Sequence, residues 1–197
     1  MAILSDAPRQ QFDTADEWRQ WLEANHASSS GIFLVFWKKA TGRPAMSYDE
    51  MVEQALCFGW VDSRPAKLDD ERSMRWFTPR KRGSAWAGPN KVRIERLAAA
   101  GLMRPAGFAL VEAAKADGTW TLLDAVERLE VPDDLGERLE AVEGARAQWD
   151  NFPRSARRGI LEWIVQAKTP ATRDRRIQET AQLAGRGERA NQWSPKP

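Results

Sequence analysis

The run Ile32-Phe33-Leu34-Val35-Phe36-Trp37 is the longest apolar stretch in the chain and constrains the fold more than any other feature. It is far short of the roughly 20 residues that span a bilayer. Ser28-Ser29-Ser30-Gly31 supplies a turn signal in front of it, and the spacing predicts a strand over Ile32–Lys38. Both of its faces are apolar, so it must be covered on both sides by other elements. The rest of the chain has to supply that cover.

The neighbouring segments do so with helical patterns. Thr14 to Glu17 reads as a capping box with Trp18, Trp21 and Leu22 at helical spacing behind it, ending near Asn25. Ser47 to Glu50 is a second capping box, followed by Met51, Val52, Ala55 and Leu56 on one stripe and by Gly59 as the stop. Two short strands are expected around Trp60–Arg64 and Met74–Thr78, joined through Asp69, Asp70 and Glu71. In the second, Met74, Trp76 and Thr78 alternate with Arg75 and Phe77, the pattern of a half-buried strand. Pro89 suits the first turn of a helix running to Gly101. Beyond it the chain is helical: a segment after Pro105, another after Thr121, a third carrying Leu135, Leu139, Val142 and Trp149, then about Ser155–Lys168 and Pro170–Ala184, with Thr169 as N-cap and Gly185 as stop.

The expected fold class is therefore α+β: a small antiparallel sheet of about three strands packed with helices, followed by a helical C-terminal half ending in a helical hairpin. The expected divisions are an α+β domain over 12–118, a helical module over 119–185 and a flexible tail over 186–197, where Trp193 is a docking candidate. A composition of 42% hydrophobic and 29% charged residues is ordinary globular usage. Met1 to Gln11 offers only Ile3 and Leu4 before Ser5 and Asp6, so no signal-peptide segment is read and the cytoplasm is the expected location. No membrane insertion is expected, and the oligomeric state is left open.

Much chemistry is excluded. His26 is the only histidine and Cys57 the only cysteine. A multi-histidine metal centre, a cysteine zinc knuckle and an internal disulfide are all ruled out, and a Ser-His-Asp triad is not expected, since His26 is read as an exposed helix end. No Gly-x-x-x-x-Gly-Lys run or strand-following Gly-x-Gly-x-x-Gly occurs, so phosphate-loop and dinucleotide fingerprints are missing. His26 is expected at an exposed helix end and Cys57 in the core, since reactive thiols sit beside cations or at helix N-termini. No cofactor, no metal and no catalytic residue is assigned, and the chain is not expected to be an enzyme.

Charge is distributed in blocks beneath a net charge of +2. Arg72 to Arg93 holds seven basic residues and no acid; Asp124 to Glu143 holds eight acids against two arginines; Arg154 to Arg176 holds seven basic residues against Glu162 and Asp174. The first block is also rich in aromatics. Its planar guanidinium donors suit a carboxylate or phosphate, and its rings suit stacking. Trp60, Asp62, Arg75, Phe77, Arg80, Ser84, Trp86 and Asn90 are the candidate ligand-binding residues, for a small anionic or nucleotide-like ligand. The competing expectation is that Trp60 and Trp76 are core while the arginines flank a solvated turn. A second class is nucleic-acid binding through Arg157, Arg158, Arg173, Arg175 and Arg176 on the hairpin. It is set against a helical hairpin whose arginines pair with the Asp124–Glu143 acids, and nucleic acid is not the expected partner. A third is a carboxylate-dependent enzyme with Asp62 as base and Arg75 or Arg80 holding an oxyanion.

The blocks Ala55-Leu56-Cys57-Phe58-Gly59-Trp60-Val61-Asp62, Lys67 to Glu71, Phe77-Thr78-Pro79-Arg80 and Ser84-Ala85-Trp86 resemble the YdeI/OmpD-associated family, described as bacteriocin-protection. So do Ser155-Ala156-Arg157-Arg158, Glu162-Trp163-Ile164, Ala167-Lys168 and Thr172 to Ile177, and the likeness extends from about Gly31 to Leu183. The chain departs from the family pattern at Ala87, where a serine follows the tryptophan in that pattern. The resemblance implies a cytoplasmic bacterial protein connected with tolerance of antimicrobial peptides and envelope stress. It implies no catalytic residues.

Overall fold

The computed structural model describes residues 7–192 of the chain, so Trp193 lies outside the described residues. They divide into two units, residues 7–84 with 89–117 and residues 85–88 with 118–192. The first unit is built on strands β1 (Arg9–Gln11), β2 (Ile32–Trp37), β3 (Trp60–Lys67) and β4 (Arg72–Pro79), in the order β1-β2-β4-β3. β2, β4 and β3 form the expected antiparallel core of the sheet, while β1 adds a fourth strand parallel to β2. β1 carries only Arg9, Gln10 and Gln11, with no apolar alternation to betray it.

Helix α1 (Ala15–Asn25) opens on Thr14, and α2 (Tyr48–Cys57) opens on Ser47. Both capping boxes are complete: each cap hydroxyl accepts from the N3 backbone N–H, and each N3 glutamate accepts from the cap's own N–H. Gly59 ends α2 with φ +74°, a left-handed conformation that favours glycine. A Cβ there would also lie 2.6 Å from Leu110 Cδ1. Helices α3 (Gly88–Ala99) and α4 (Pro105–Ala116) complete the unit, α3 belonging to it from Pro89 onward.

Register assigns the two faces of the sheet. Phe33 pairs Trp76 and Val35 pairs Met74 on one face; Ile32 pairs Phe77 and Leu34 pairs Arg75 on the other. The second face is the one α1 and α2 cover. Trp18, wholly buried, packs its ring 5.3 Å from Phe77 and 6.5 Å edge-on from Trp60, and its indole N–H donates to Met51 O at 3.0 Å. Met51, Val52, Ala55 and Leu56 bury the stripe read from the sequence. β4 is half-buried as read: Phe77, on the face that α1 and α2 cover, is wholly buried, while Trp76 on the other face stays partly exposed.

The second unit is helical: α5 (Asp124–Glu127), α6 (Asp133–Ala141), α7 (Ala145–Asn151), α8 (Arg154–Val165) and α9 (Pro170–Gly185). Trp149, Leu135, Leu139, Ile160, Ile164 and Ala181 are wholly buried in its core. The segment expected to carry Leu135 to Trp149 as one helix breaks between α6 and α7, where Gly144 takes φ +73°. Gly185 is not the stop of α9. It stays helical, and a Cβ there would meet Val142 Cγ1 at 2.8 Å, whereas Gly187 takes the left-handed conformation at φ +74°. Thr169 caps α9 as read, accepting from Thr172 N. Of the expected tail, Ala190 is buried in the core of this unit. No helix among the described residues is long and apolar enough to cross a membrane.

Candidate functional site

Tyr48 is the first residue of α2, which sets its phenol at the end of the sheet face that α2 covers. The hydroxyl donates to Asp62 Oδ2 at 3.2 Å, and Arg75 Nη1 donates to the same oxygen at 2.8 Å and to Ser63 O at 3.2 Å. Asp62 and Arg75 come from adjacent strands, β3 and β4, and their side chains are only 13% and 20% exposed. A regular strand would keep Asp62 and Arg64 on the same face; a register shift between Asp62 and Pro65 interrupts that alternation beside the pair.

Two guanidinium groups lie over the Tyr48 ring, Arg75 at 4.7 Å and Arg93 at 5.9 Å. Arg93 is held from α3 and α2 by Asn90 Oδ1 and Asp49 Oδ1. Burial, and then the Asp62 carboxylate, raise the phenol above its ordinary range. Tyr48 is therefore a protonated donor throughout the physiological range, and Asp62 is its acceptor.

Beside this network is a concavity of about 400 Å3, bordered by Phe36, Trp37, Lys38, Lys39, Tyr48 and Arg75, with Met46 and Met51 below. Phe36 and Trp37 are half-buried and Tyr48 is 47% exposed. Guanidinium groups already overlie two of these rings, Arg43 at 4.1 Å over Trp37 and Arg75 and Arg93 over Tyr48, so a ligand meets ring surface that is only partly free. Lys38 Nζ is committed to the carbonyls of Asp69 and Asp70. Lys39 is exposed and its ammonium makes no hydrogen bond or ion pair among the described residues, its carbonyl alone accepting from Gly42 N, and Arg75 spends only Nη1. Glu50 is the acid on this border, and it accepts from Ser47 N at 2.7 Å in the helix cap, which holds its carboxyl below the ordinary range.

The eight residues expected from sequence do not fall into one place. Asp62, Arg75 and Asn90 join through Tyr48 and Arg93. Trp60 and Phe77 are buried core rings, Trp60 donating its indole N–H to His26 O at 3.2 Å. Arg80 is 9% exposed, and burial lowers its guanidinium to about 10, still a cation at neutral pH. Ser84 is the last residue of the first stretch of the N-terminal unit. Trp86 belongs to the second unit, where its ring meets Trp120 at 5.2 Å. Tyr48, Arg93 and Lys39 are not among the eight candidates, Arg93 being counted only as part of the basic block. Tyr48 sits directly behind a capping serine, and that position is the one local sign of it.

The other candidates resolve similarly. Cys57 is buried, which raises its thiol, and its carbonyl accepts from Arg104 N. His26 caps the end of α1 half-buried, its ring 5.2 Å from Phe58. On the C-terminal hairpin, Arg158 pairs with Glu127 and Glu162, and Arg173 makes a two-nitrogen pair with Asp134. Arg176 donates to Trp163 O and covers its ring. Arg158 and Arg173 thus meet the acidic segment, through Glu127 and Asp134, whereas Arg176 is bound within the hairpin.

Two family comparisons match the chain. Residues 10–110 match a family described as a domain of unknown function, DUF8412. Residues 128–187 match the family described as Bacteriocin-protection, YdeI or OmpD-Associated. The likeness to that family is thus placed on the helical C-terminal segment, and the blocks from Ala55 to Arg80 lie within the other match. No curated protein and no solved structure matches the chain significantly.

Proposed function

We propose, for a chain that belongs to the DUF8412 family and carries a YdeI/OmpD-associated segment at residues 128–187, that its N-terminal unit binds a small anionic ligand with a planar, nucleotide-like body. The observation that carries this is the concavity beside Tyr48. Partly exposed rings of Phe36, Trp37 and Tyr48, with Arg43 over Trp37 and Arg75 and Arg93 over Tyr48, stand next to Lys39 and the uncommitted nitrogens of Arg75, while the bordering carboxylate is occupied in a helix cap. Aromatic faces hold a planar ring, and charge-assisted hydrogen bonds of about 1.5–3 kcal/mol each hold an anionic group. Two or three such bonds support micromolar affinity.

The Tyr48–Asp62–Arg75 network orients Arg75. Tyr48 and Asp62 already satisfy one another, so Asp62 serves as an anchor for the guanidinium and not as a base. This binding is placed, as part of the same proposal, in a bacterial response to bacteriocins or envelope stress inside the cell, and the description of the second family, Bacteriocin-protection, supports the bacteriocin part.

The test is a thermal-shift screen of anionic aromatic compounds, including adenosine 5′-monophosphate, repeated with Lys39→Ala and Arg75→Ala. Compounds that stabilise the wild-type chain are expected to lose their effect in both variants. Stabilisation that survives both removes this concavity as the site.

A further inference from the structure

We propose a second, separate binding site on the opposite face of the same sheet, for a small amphipathic monoanion. Phe33, Met74 and Trp76 face away from α1 and α2, because Phe33 pairs Trp76 and Val35 pairs Met74 in register, on the face opposite the Ile32–Phe77 pair those helices cover. With Pro65 and Ala66 of β3 they form a groove of about 500 Å3. That volume suits a drug-sized ligand, and an apolar lining with few polar groups is the usual composition of such sites.

The groove has a fixed aromatic wall. Gly31 lies so close to Trp76 that a Cβ on it would stand 2.3 Å from the indole Cζ2, and Phe33 meets the same ring edge-on at 5.0 Å. Trp76 is therefore held on both sides while remaining partly open. Its indole N–H makes no hydrogen bond among the described residues, which leaves one donor at the wall.

Charge decides the ligand class. The ionisable residues of the described lining are Arg9 and Arg64, both exposed, and the lining itself holds no Asp or Glu. The Arg64 guanidinium makes no hydrogen bond or ion pair among the described residues. It comes from the register shift between Asp62 and Pro65, a type of irregularity that re-aims side chains. Without the extra residue, Arg64 would share the face of Asp62. An apolar body on Phe33, Met74 and Trp76 with one acidic head at Arg64 is the complementary ligand.

The probe is 8-anilinonaphthalene-1-sulfonate, with neutral N-phenyl-1-naphthylamine as its uncharged counterpart, read by fluorescence titration. The expected result is one saturable site for the sulfonate, weakened about tenfold by Arg64→Ala and restored by Arg64→Lys. The neutral compound is expected to bind wild-type and Arg64→Ala equally, which also shows the groove intact. Unchanged sulfonate binding in Arg64→Ala overturns the proposal, as does loss of both compounds together. Loss of the sulfonate in Lys39→Ala instead places the probe beside Tyr48 and overturns it too. So does exclusion of the probe by raised protein concentration, which assigns the face to a second copy of the chain.

Discussion

Replacing Arg75 by Met removes the cation from a carboxylate that is 13% exposed, and the structure sets the scale of the consequence. An exposed ion pair contributes about 0–1 kcal/mol, whereas breaking a fully buried pair costs about 3–5 kcal/mol because a charge is left uncompensated. The Asp62–Arg75 pair lies between these limits, and Tyr48 still donates to Asp62 after the change. Arg75→Met is therefore expected to destabilise the protein by about 2 kcal/mol. Asp62→Asn keeps an acceptor for Tyr48 and leaves Arg75 its bond to Ser63 O, so about 1 kcal/mol is expected. The double variant should cost no more than Arg75→Met alone, giving a coupling of about 1 kcal/mol in a double-mutant cycle. The assay is urea unfolding followed by tryptophan fluorescence and far-ultraviolet circular dichroism, without ligand. A coupling under about 0.3 kcal/mol would show a solvated pair, and the argument that Asp62 preorganises Arg75 would fail.

In the helical unit, Arg158 holds the Glu127 carboxyl below its ordinary range and Arg173 does the same for Asp134. Both folded-state values are depressed, so their stabilising contribution is full at neutral pH and is lost as pH falls through them; urea midpoints should drop below about pH 4.5, and drop less in Glu127→Gln/Asp134→Asn. An unchanged acid profile in that variant would refute the assignment. Gly107→Ala should destabilise by about 2 kcal/mol or more, because its Cβ would stand 2.4 Å from Cys57 O and 2.9 Å from Leu56 O; a neutral effect in urea unfolding would contradict the packing of α4 on the end of α2. Since Arg158 and Arg173 are engaged by acids, duplex DNA in a gel shift at low salt should show no complex. Retention that weakens steeply with salt would restore the hairpin as a phosphate-binding surface.

Local signals in this chain were legible and long-range ones were not. The capping boxes at Thr14–Glu17 and Ser47–Glu50 depend on residues three apart, and both formed as read. β1 exists only because Arg9 to Gln11 meet the far-off backbone of Phe33 to Val35, which nothing in a polar tripeptide announces. The α6–α7 break turns on one glycine inside an otherwise continuous apolar period. At the candidate site, a dense run of basic and aromatic residues drew attention to Trp60–Asn90, yet strand alternation divides that run between the two faces of the sheet. Phe77 and Arg75 share the helix-covered face, Phe77 in the core and Arg75 reaching Asp62 and Tyr48, while Trp76 between them lies on the opposite face. Tyr48 joins Asp62 through the packing of α2 on β3, a contact between residues 14 apart that no local pattern encodes.

The most direct test of ligand binding beside Tyr48 is two-dimensional NMR of the tryptophan indole resonances during titration with adenosine 5′-monophosphate. Trp37 borders the concavity, whereas Trp149 is buried in the helical unit. The account predicts a saturable shift of the Trp37 indole signal, with the Trp149 signal unmoved and the response gone in Lys39→Ala. No shift at millimolar nucleotide, or shifts centred on other tryptophans, would contradict it.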